Sequence, residues 1–426
     1  MKYQMVAGID ISKHFSDMCV MSASGDILLE TKVFYDEVGL RHAQEQLIKL
    51  SNGKLHQIIA VMESTAHYHR ILEQFLRNAG LAVMVINPIQ SGSMKNLDIR
   101  KVKNDRSDAR RLAQLYLFKM LRQTATDPAV IGSLKDLTRQ RADIIAECTR
   151  FSNKLTALLD QGFPGFKKVF SSLKVRSALA VLKGYPTPNH VLNAENGAME
   201  AVISLASNKK SSSKWVVEKA SLLHSVACSA EQIGIHRDSF GVLISLYADI
   251  LFSLRRTADE IEHQIFLLAK NDMAFWNSVC LLTSIPGIGT YSAVVILAEI
   301  GDFSRFSKPK QLVAFAGMDP ATKQSGTRVC THNRLSKRGS PYLRGILDTC
   351  THVAVHIGRN KQPANPVLAA YYEDKCRSKP ANVAMCACIH KMLGYIFAVL
   401  RNQKPFERRT PQEHLEIMRQ QAEKAA

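Results

Sequence analysis

Carboxylates are scarce in this chain: 37 Asp and Glu stand against 56 Lys and Arg, leaving a formal net charge of +19 over 426 residues. That surplus points to a polyanionic partner, because Lys and Arg gain affinity by displacing counterions from phosphates. A basic membrane-surface protein is the competing reading. No uninterrupted run of about 18 apolar residues is present, which argues against a membrane span. No signal peptide is visible, since the N-terminal apolar stretch MVAGIDI is short and contains Asp10. The nine cysteines are scattered and odd in number, which does not suggest a disulfide framework. The closest pair, Cys386 and Cys388 in AMCACIH, lacks a second half at zinc spacing and reads as helix packing. These absences fit a reducing cytoplasm.

What is present is an ordinary globular composition, 46% hydrophobic, at a length that suits two or three domains. Residues 1–124 alternate strand and helix signals. Three strands in meander followed by alternating helix and strand predict a mixed α/β sheet. Residues 125–272 change character. Leu134, Leu137, Arg141, Ile144, Cys148, Phe151, Leu155 and Leu158 recur at steps of three and four. Leu243, Tyr247, Ile250, Leu254, Thr257, Ile261 and Ile265 form a second such seam. The pattern predicts an antiparallel helical hairpin or coiled coil, and equally suits an oligomer contact or a plain bundle core. Between the seams, 163–236 reads as an insertion of short helices and loops without evident chemistry. Residues 273–402 form a third, mainly α unit, and 403–426 a charged, frayed helical tail.

Two acids interrupt the basic run KNDRSDARR at 103–111. Asp105 and Asp108 share one face of a predicted helix, about 4.5 Å apart along its axis. Such pairs are usually solvated salt-bridge partners. Asp10 and Glu63, however, each close an apolar strand, and ligand sites in α/β sheets form outside strand ends. Neighbouring strands lie about 4.8 Å apart, so the two carboxylates can converge. A four-carboxylate set of hard oxygens suits Mg²⁺, or Mn²⁺. Two-metal nucleases hold their ions about 3.5–4 Å apart. Lys101, Lys103, Arg106, Arg110 and Arg111 would offset the negative charge and grip phosphate.

The order Asp, Glu, Asp, Asp resembles the ribonuclease H-like fold of the RuvC type. More closely, GIDISK, VMEST and NDRSDARRLAQL resemble the N-terminal domain of the DEDD insertion-sequence transposases, a group that includes Piv-type DNA invertases. DEDD exonucleases fit poorly, because Asp10 is followed by Ile11 and Ser12 rather than by Asp-x-Glu.

A second constellation lies downstream. SIPGIGTYSAVVILAEIG has the form of a helix-hairpin-helix, with Gly287 and Gly289 allowing a tight turn and the next helix offering N–H groups to phosphate. Ser325 then sits between Lys323 and Arg328 in a polar loop. A serine beside a glycine is normally a turn residue, and no histidine adjoins this one. Here the resemblance adds weight: IPGIG, AEIGDF, LVAFAGMDP, QSG and LSKRGSPYLRGIL follow the order of the same family's second domain. Ser325 matches the serine that family uses as nucleophile. The family usually has Asn where this chain has Ser340, and Arg where it has His390.

The resemblance implies a metal-assisted DNA recombinase that links itself to a 5′ phosphate through Ser325. It implies donor and target DNA as substrates, a structured noncoding bridge RNA as guide, and Lys337, Arg338 and Arg344 as nucleic-acid contacts. Acids and serine lie in separate domains, which implies a dimer or tetramer. Two other classes remain open: a Holliday-junction resolvase-like nuclease that uses water, and a non-catalytic nucleic-acid-binding regulator.

Overall fold

The computed structural model describes residues 3–64, 67–88, 105–121, 128–207, 212–320, 324–325, 328–329, 334–358 and 362–425; Asp105, Ser325 and Arg328 are placed by backbone alone. Packing divides the chain into two compact units, Met1–Thr126 and Asp127–Ala426.

The first unit is built on β1 Met5–Ile11, β2 Phe15–Ser22, β3 Ile27–Phe34, β4 Ile58–Glu63 and β5 Ala82–Ile86. Their order is β3-β2-β1-β4-β5, antiparallel among the first three and parallel from β1 to β5. The central strands read as near-continuous apolar runs because both faces of the sheet are covered. One face carries Ala7, Ile9, Ala60 and Met62, and packs on α1 Glu37–Leu50 and α2 His69–Asn78 through Leu47, Leu72 and Leu76. The N-terminus of α1 is capped by Asp36, whose carboxylate accepts from the Gly39 N–H at 2.7 Å. The other face carries Val6, Cys19, Ile59 and Val61, and packs on α3 Asp105–Leu117 through Ala109, Leu112 and Ala113.

This second helix comes unusually close. A Cβ added at Gly8 would lie 2.1 Å from the Ala109 carbonyl oxygen and 2.6 Å from the Ala113 nitrogen. Only a residue without a side chain lets the helix backbone rest on β1.

The second unit is helical among its described residues apart from a small two-stranded ribbon. Helices α4 Ala129–Gly162 and α9 Asp238–Asn271 run 34 residues each and pack antiparallel. Gly162 abuts Phe240 at one end, and Arg141 pairs with Glu262 towards the other. The sequence seam of α9 is shifted by one residue over its earlier part and holds at Ile265. The buried positions are Ile244, Ala248, Leu251, Ala258, Ile265 and Ala269, while Ile250 and Thr257 face water. Alanines in the contact row let the helices approach closely, and the larger Tyr247, Leu254 and Ile261 pack at the edges. Between the two, α5 Arg176–Gly184, α6 Pro188–Leu192, α7 Ala198–Ala206 and α8 Ser213–Ile233 enclose their own core around Phe163, Phe166 and Leu182.

The rest comprises α10 Met273–Thr283, α11 Thr290–Ile300, α12 Pro309–Ala316, β6 Gln324–Ser325, β7 Arg328–Val329, α13 Pro341–Val355, α14 Pro366–Cys376, α15 Ala381–Asn402 and α16 Pro411–Ala425. Helix α15 is by length and composition apolar enough to cross a membrane, with a mean hydropathy of 1.8, as the core helix of a globular unit also is. It carries His390 and Lys391, so no uninterrupted apolar run announces it, and Met392, Leu393 and Ile396 are buried in the core of this unit. The tail is also better anchored than expected. The Phe406 ring packs tilted against Tyr395 with centroids 5.0 Å apart, and its N–H donates to Ser284 Oγ at 2.7 Å.

A buried ion pair joins α4 to α11. Arg139 donates to both oxygens of Glu299 at 2.6 and 2.9 Å. Glu299 is 1% exposed and Arg139 37%. The cost of losing either partner should therefore be unequal. Arg139→Met strands a buried carboxylate and is expected to cost about 3–5 kcal/mol. Glu299→Gln should cost less, because the guanidinium can turn to water. Chemical denaturation of both variants checks the order, and the reverse order would show that Glu299 is not the buried anchor.

Candidate catalytic and nucleic-acid site

The strand register decides where the first two acids go. Ile9 pairs with Met62 across the parallel β1–β4 ladder, so Asp10 and Glu63 occupy the next step of neighbouring strands. Side chains alternate along a strand, which places Asp10 on the face of Val6 and Gly8, and Glu63 on the face of Ile59 and Val61. That is the face α3 covers. Both acids are half-buried, at the C-terminal rim of the parallel strands.

Helix α3 brings its first turn to the same rim. Arg106 and Ala109 line a small cavity with Asp17, Met18 and Glu30, and Ala109 sits over Gly8. Asp108 precedes Ala109, and its carboxylate accepts from Arg111 at 2.8 Å, with both side chains mostly buried. Asp105 is the first residue of the helix, one turn earlier. Among the described residues, no three His, Cys, Asp or Glu side chains form a group able to hold a metal ion. The donor chemistry of the acids is nonetheless all hard oxygen, suited to Mg²⁺ and unsuited to softer ions.

Sequence reasoning passed over Asp17. It is the direct partner of Asp10 on the antiparallel β2, only 6% exposed, and shares its face with Cys19 and Met21. Pairing the short β1–β2 hairpin residue by residue would have exposed it. Lys32 follows on β3, so the row across the sheet reads Lys32, Asp17, Asp10, Glu63.

The arginines near these acids have partners within the unit. Arg110 grips both oxygens of Glu30 on β3, which fastens α3 across the sheet edge. Its hydrogen bond holds the Glu30 carboxyl below the usual glutamate range. Burial, then Glu30, pushes the Cys19 thiol up to about 11, which leaves it protonated and unreactive at neutral pH. Lys101, Lys103 and Lys323 lie outside the described residues.

The serine loop stands on two stems that are zipped together. Pro320 bridges Leu335, the Ser336 N–H donates to the Asp319 carbonyl at 2.9 Å, and the Lys337 N–H donates to that of Gly317 at 3.1 Å. Gly317 takes a φ of +69°, and a Cβ there would lie 2.6 Å from the Gly339 nitrogen. A Cβ on Gly339 would lie 2.1 Å from the Phe315 carbonyl oxygen. AGMDP and SKRGS are thus the two sides of one close backbone contact. Arg344 donates to the Gly339 carbonyl at 2.6 Å and so braces the stem. Lys337 and Arg338 are exposed. Above the stem, Ser325 on β6 is the register partner of Arg328 on β7.

The two hairpin glycines differ. Gly287 has a φ of +100° and lies against α13, where a Cβ would meet the Cys350 carbonyl oxygen at 2.5 Å. Gly289 faces open space and directly precedes α11, whose first residue Thr290 is exposed. Gly287 therefore shapes the turn, while Gly289 leaves its N-terminal amides accessible.

Comparison with known proteins bears on both regions. A family model described as a transposase matches residues 7–164, and one described as the transposase IS116/IS110/IS902 family matches 279–373. The 43.6 kDa protein of insertion element IS110 from Streptomyces coelicolor is 23% identical over 410 residues, covering 95% of this chain and 96% of its own. The pilin gene-inverting protein of Moraxella bovis is 28% identical over 176 residues, 41% of this chain and 52% of its own. The transposase for insertion sequence element IS1111A of Coxiella burnetii is 27% identical over 179 residues, 42% and 46% respectively.

The Glu30–Arg110 clamp has a pH signature. Glu30 is depressed below its ordinary 4.5, so its stabilisation is fully present above that value and lost as pH falls through the lower folded value. The stability gap between wild type and Arg110→Ala should be constant above pH ~5 and narrow in acid. Urea melts across that range test this, and a gap that widened in acid would dismiss the clamp.

Proposed function

The chain belongs to the IS116/IS110/IS902 transposase family, enzymes that break and rejoin DNA strands, and from that premise we propose that it moves an insertion sequence through a serine-linked intermediate. One observation carries this reading. The matched segment 7–164 contains Asp10, Glu63, Asp105 and Asp108, and the matched segment 279–373 contains Ser325 on its braced loop. The sheet order, with its antiparallel meander leading into parallel strands, supports a ribonuclease H-like assignment of the RuvC type.

In this mechanism Ser325 Oγ loses its proton and attacks the scissile phosphorus. The bond to the 3′ oxygen breaks, leaving a 5′ phosphoserine and a free 3′-hydroxyl. A 3′-hydroxyl of a new partner strand then attacks the phosphoserine and releases Ser325. Each step exchanges one phosphoester for another, so no external energy source is required. Arg328 is the register partner of Ser325, and a cation in that role would steady the charge that develops on the phosphoryl oxygens. Mg²⁺, or Mn²⁺, bound by the four acids would polarise the phosphate. Asp108 is held in position by Arg111. Lys337 and Arg338, exposed beside the serine loop, are offered to the nucleic-acid backbone.

A structured guide RNA that pairs with donor and target DNA completes the reading, and the +19 charge supports binding of both polymers. The hairpin of α4 and α9 as a coiled-coil contact in a homo-oligomer is supported by Val242, Leu246 and Ile250, which lie exposed along one stripe of α9. The helix-hairpin-helix at Gly287–Gly289 would hold phosphate at the accessible amides of α11. Similarity to the pilin gene-inverting protein favours DNA inversion as a second outcome of the same chemistry.

Ser325→Ala and Asp10→Asn should each abolish recombination while RNA and DNA binding persists. With wild type, a covalent protein–DNA adduct is expected on denaturing gels, and a chelator should suppress it. Recombination by Ser325→Ala at the wild-type rate would remove the serine from this role. An adduct persisting in that variant would point to another nucleophile.

A further inference from the structure

A cavity of about 340 Å³ opens beside the hairpin turn, between Pro286, the start of α14, the last turns of α15 and the tail. Its walls include Tyr395, Ala398, Val399 and Phe406, and its rim Lys404, Arg408 and Arg409. The size falls in the range of small-molecule sites, about 300–1,000 Å³. The wall also holds an unfilled donor. Asn365 is 3% exposed, and its Oδ1 is already committed to the Leu368 N–H at 3.1 Å, capping α14. That bond fixes which way the amide faces, since Oδ1 must accept there. The Nδ2 is then left with no hydrogen-bond partner in the protein. Buried polar groups are nearly always paired, but this nitrogen has almost no accessible surface, so it sits within the wall and is not open to the cavity.

The aromatic and charged surroundings define what the cavity fits. The Tyr395–Phe406 pair offers an aromatic wall, with rings 5.0 Å apart and tilted by 58°. The rim is basic even after Glu407 is matched to Arg409 at 2.7 Å. Burial, then Arg409 and Lys391, holds His414 below the usual histidine range, as expected where the local potential is positive. A flat ring joined to a phosphate satisfies both features, the aromatic wall and the basic rim. We propose that this cavity receives one unpaired nucleotide of the bound nucleic acid. Its base lies against Tyr395 and Phe406, and its phosphate meets Lys404 and Arg408. The proposal rests on the reading of the chain as a nucleic-acid enzyme. It adds a base-holding pocket distinct from the acids and the serine loop.

The tail builds this pocket. The bond from the Phe406 N–H to Ser284 Oγ ties it to the end of α10, directly before the turn at Pro286.

The test uses the full chain and single-stranded DNA and RNA oligonucleotides, each carrying one 2-aminopurine. Binding of wild type should lower the fluorescence at one position at least about twofold, because stacking quenches it. Ala398→Leu fills the cavity from an exposed helix position without touching a charge. It should restore the fluorescence while leaving polarisation-measured affinity for paired duplex unchanged. Quenching by one polymer only, DNA or RNA, would identify the strand that supplies the nucleotide. Quenching unaltered by Ala398→Leu overturns the pocket and leaves the proposed function standing. Binding of neither polymer by wild type overturns both.

Discussion

Helix α3 rests on β1 with no side chain between them at Gly8, and the acidic face of the first unit depends on that contact. The carbonyl of Ala109 occupies the space a Cβ would fill. With the helix seated there, its first turn lies at the rim where the register has already set Asp10 beside Glu63. A wider separation would displace Asp108 and the helix start by the same amount. Charges alone cannot hold such an arrangement, because neighbouring carboxylates repel. The restraint comes instead from apolar burial of Ala109, Leu112 and Ala113, and from the clamp of Arg110 on Glu30.

The serine loop uses the same device a second time. Gly317 and Gly339 allow two backbone segments to touch, and Arg344 ties the contact with a hydrogen bond to a carbonyl. In both regions the reactive candidates stand on loops or rims, while glycine-mediated contacts underneath carry the precision. This division is physically reasonable. A nucleophile must reach a large substrate, so it cannot be buried, and its position must then be fixed by what supports it.

This explains which features were legible in the sequence. The five strands and the long helices follow from periodicity and apolar runs, and the structure has both. The strand-end placement of Asp10 and Glu63 follows from where those runs stop. Asp17 was missed because its significance lies in register, which period-2 alternation does not supply. Over its earlier part the α9 seam was displaced by one position because the reading favoured large residues, whereas close helix packing there uses Ala248 and Ala258. The AMCACIH cysteines were legible as helix packing, and in α15 Cys388 is buried in the core. The pocket at Asn365 has no local sequence signal, since its walls come from four separate segments.

The distribution of positive charge sharpens how the chain meets nucleic acid. A basic run beside acids suggested arginines facing phosphate. Two of them instead serve the unit itself, Arg110 on Glu30 and Arg111 on Asp108. Arg344, in the second region, is likewise committed to the Gly339 carbonyl. Cations engaged in this way have less to offer a phosphate, since their donors are already bonded. The exposed cations Lys337 and Arg338 are differently placed, as are Lys404 and Arg408 at the tail. Under the proposed function, electrostatic grip would then come less from the acidic rim than from the serine loop and the tail. There a phosphate backbone can be held without competing with the carboxylates for the same cations.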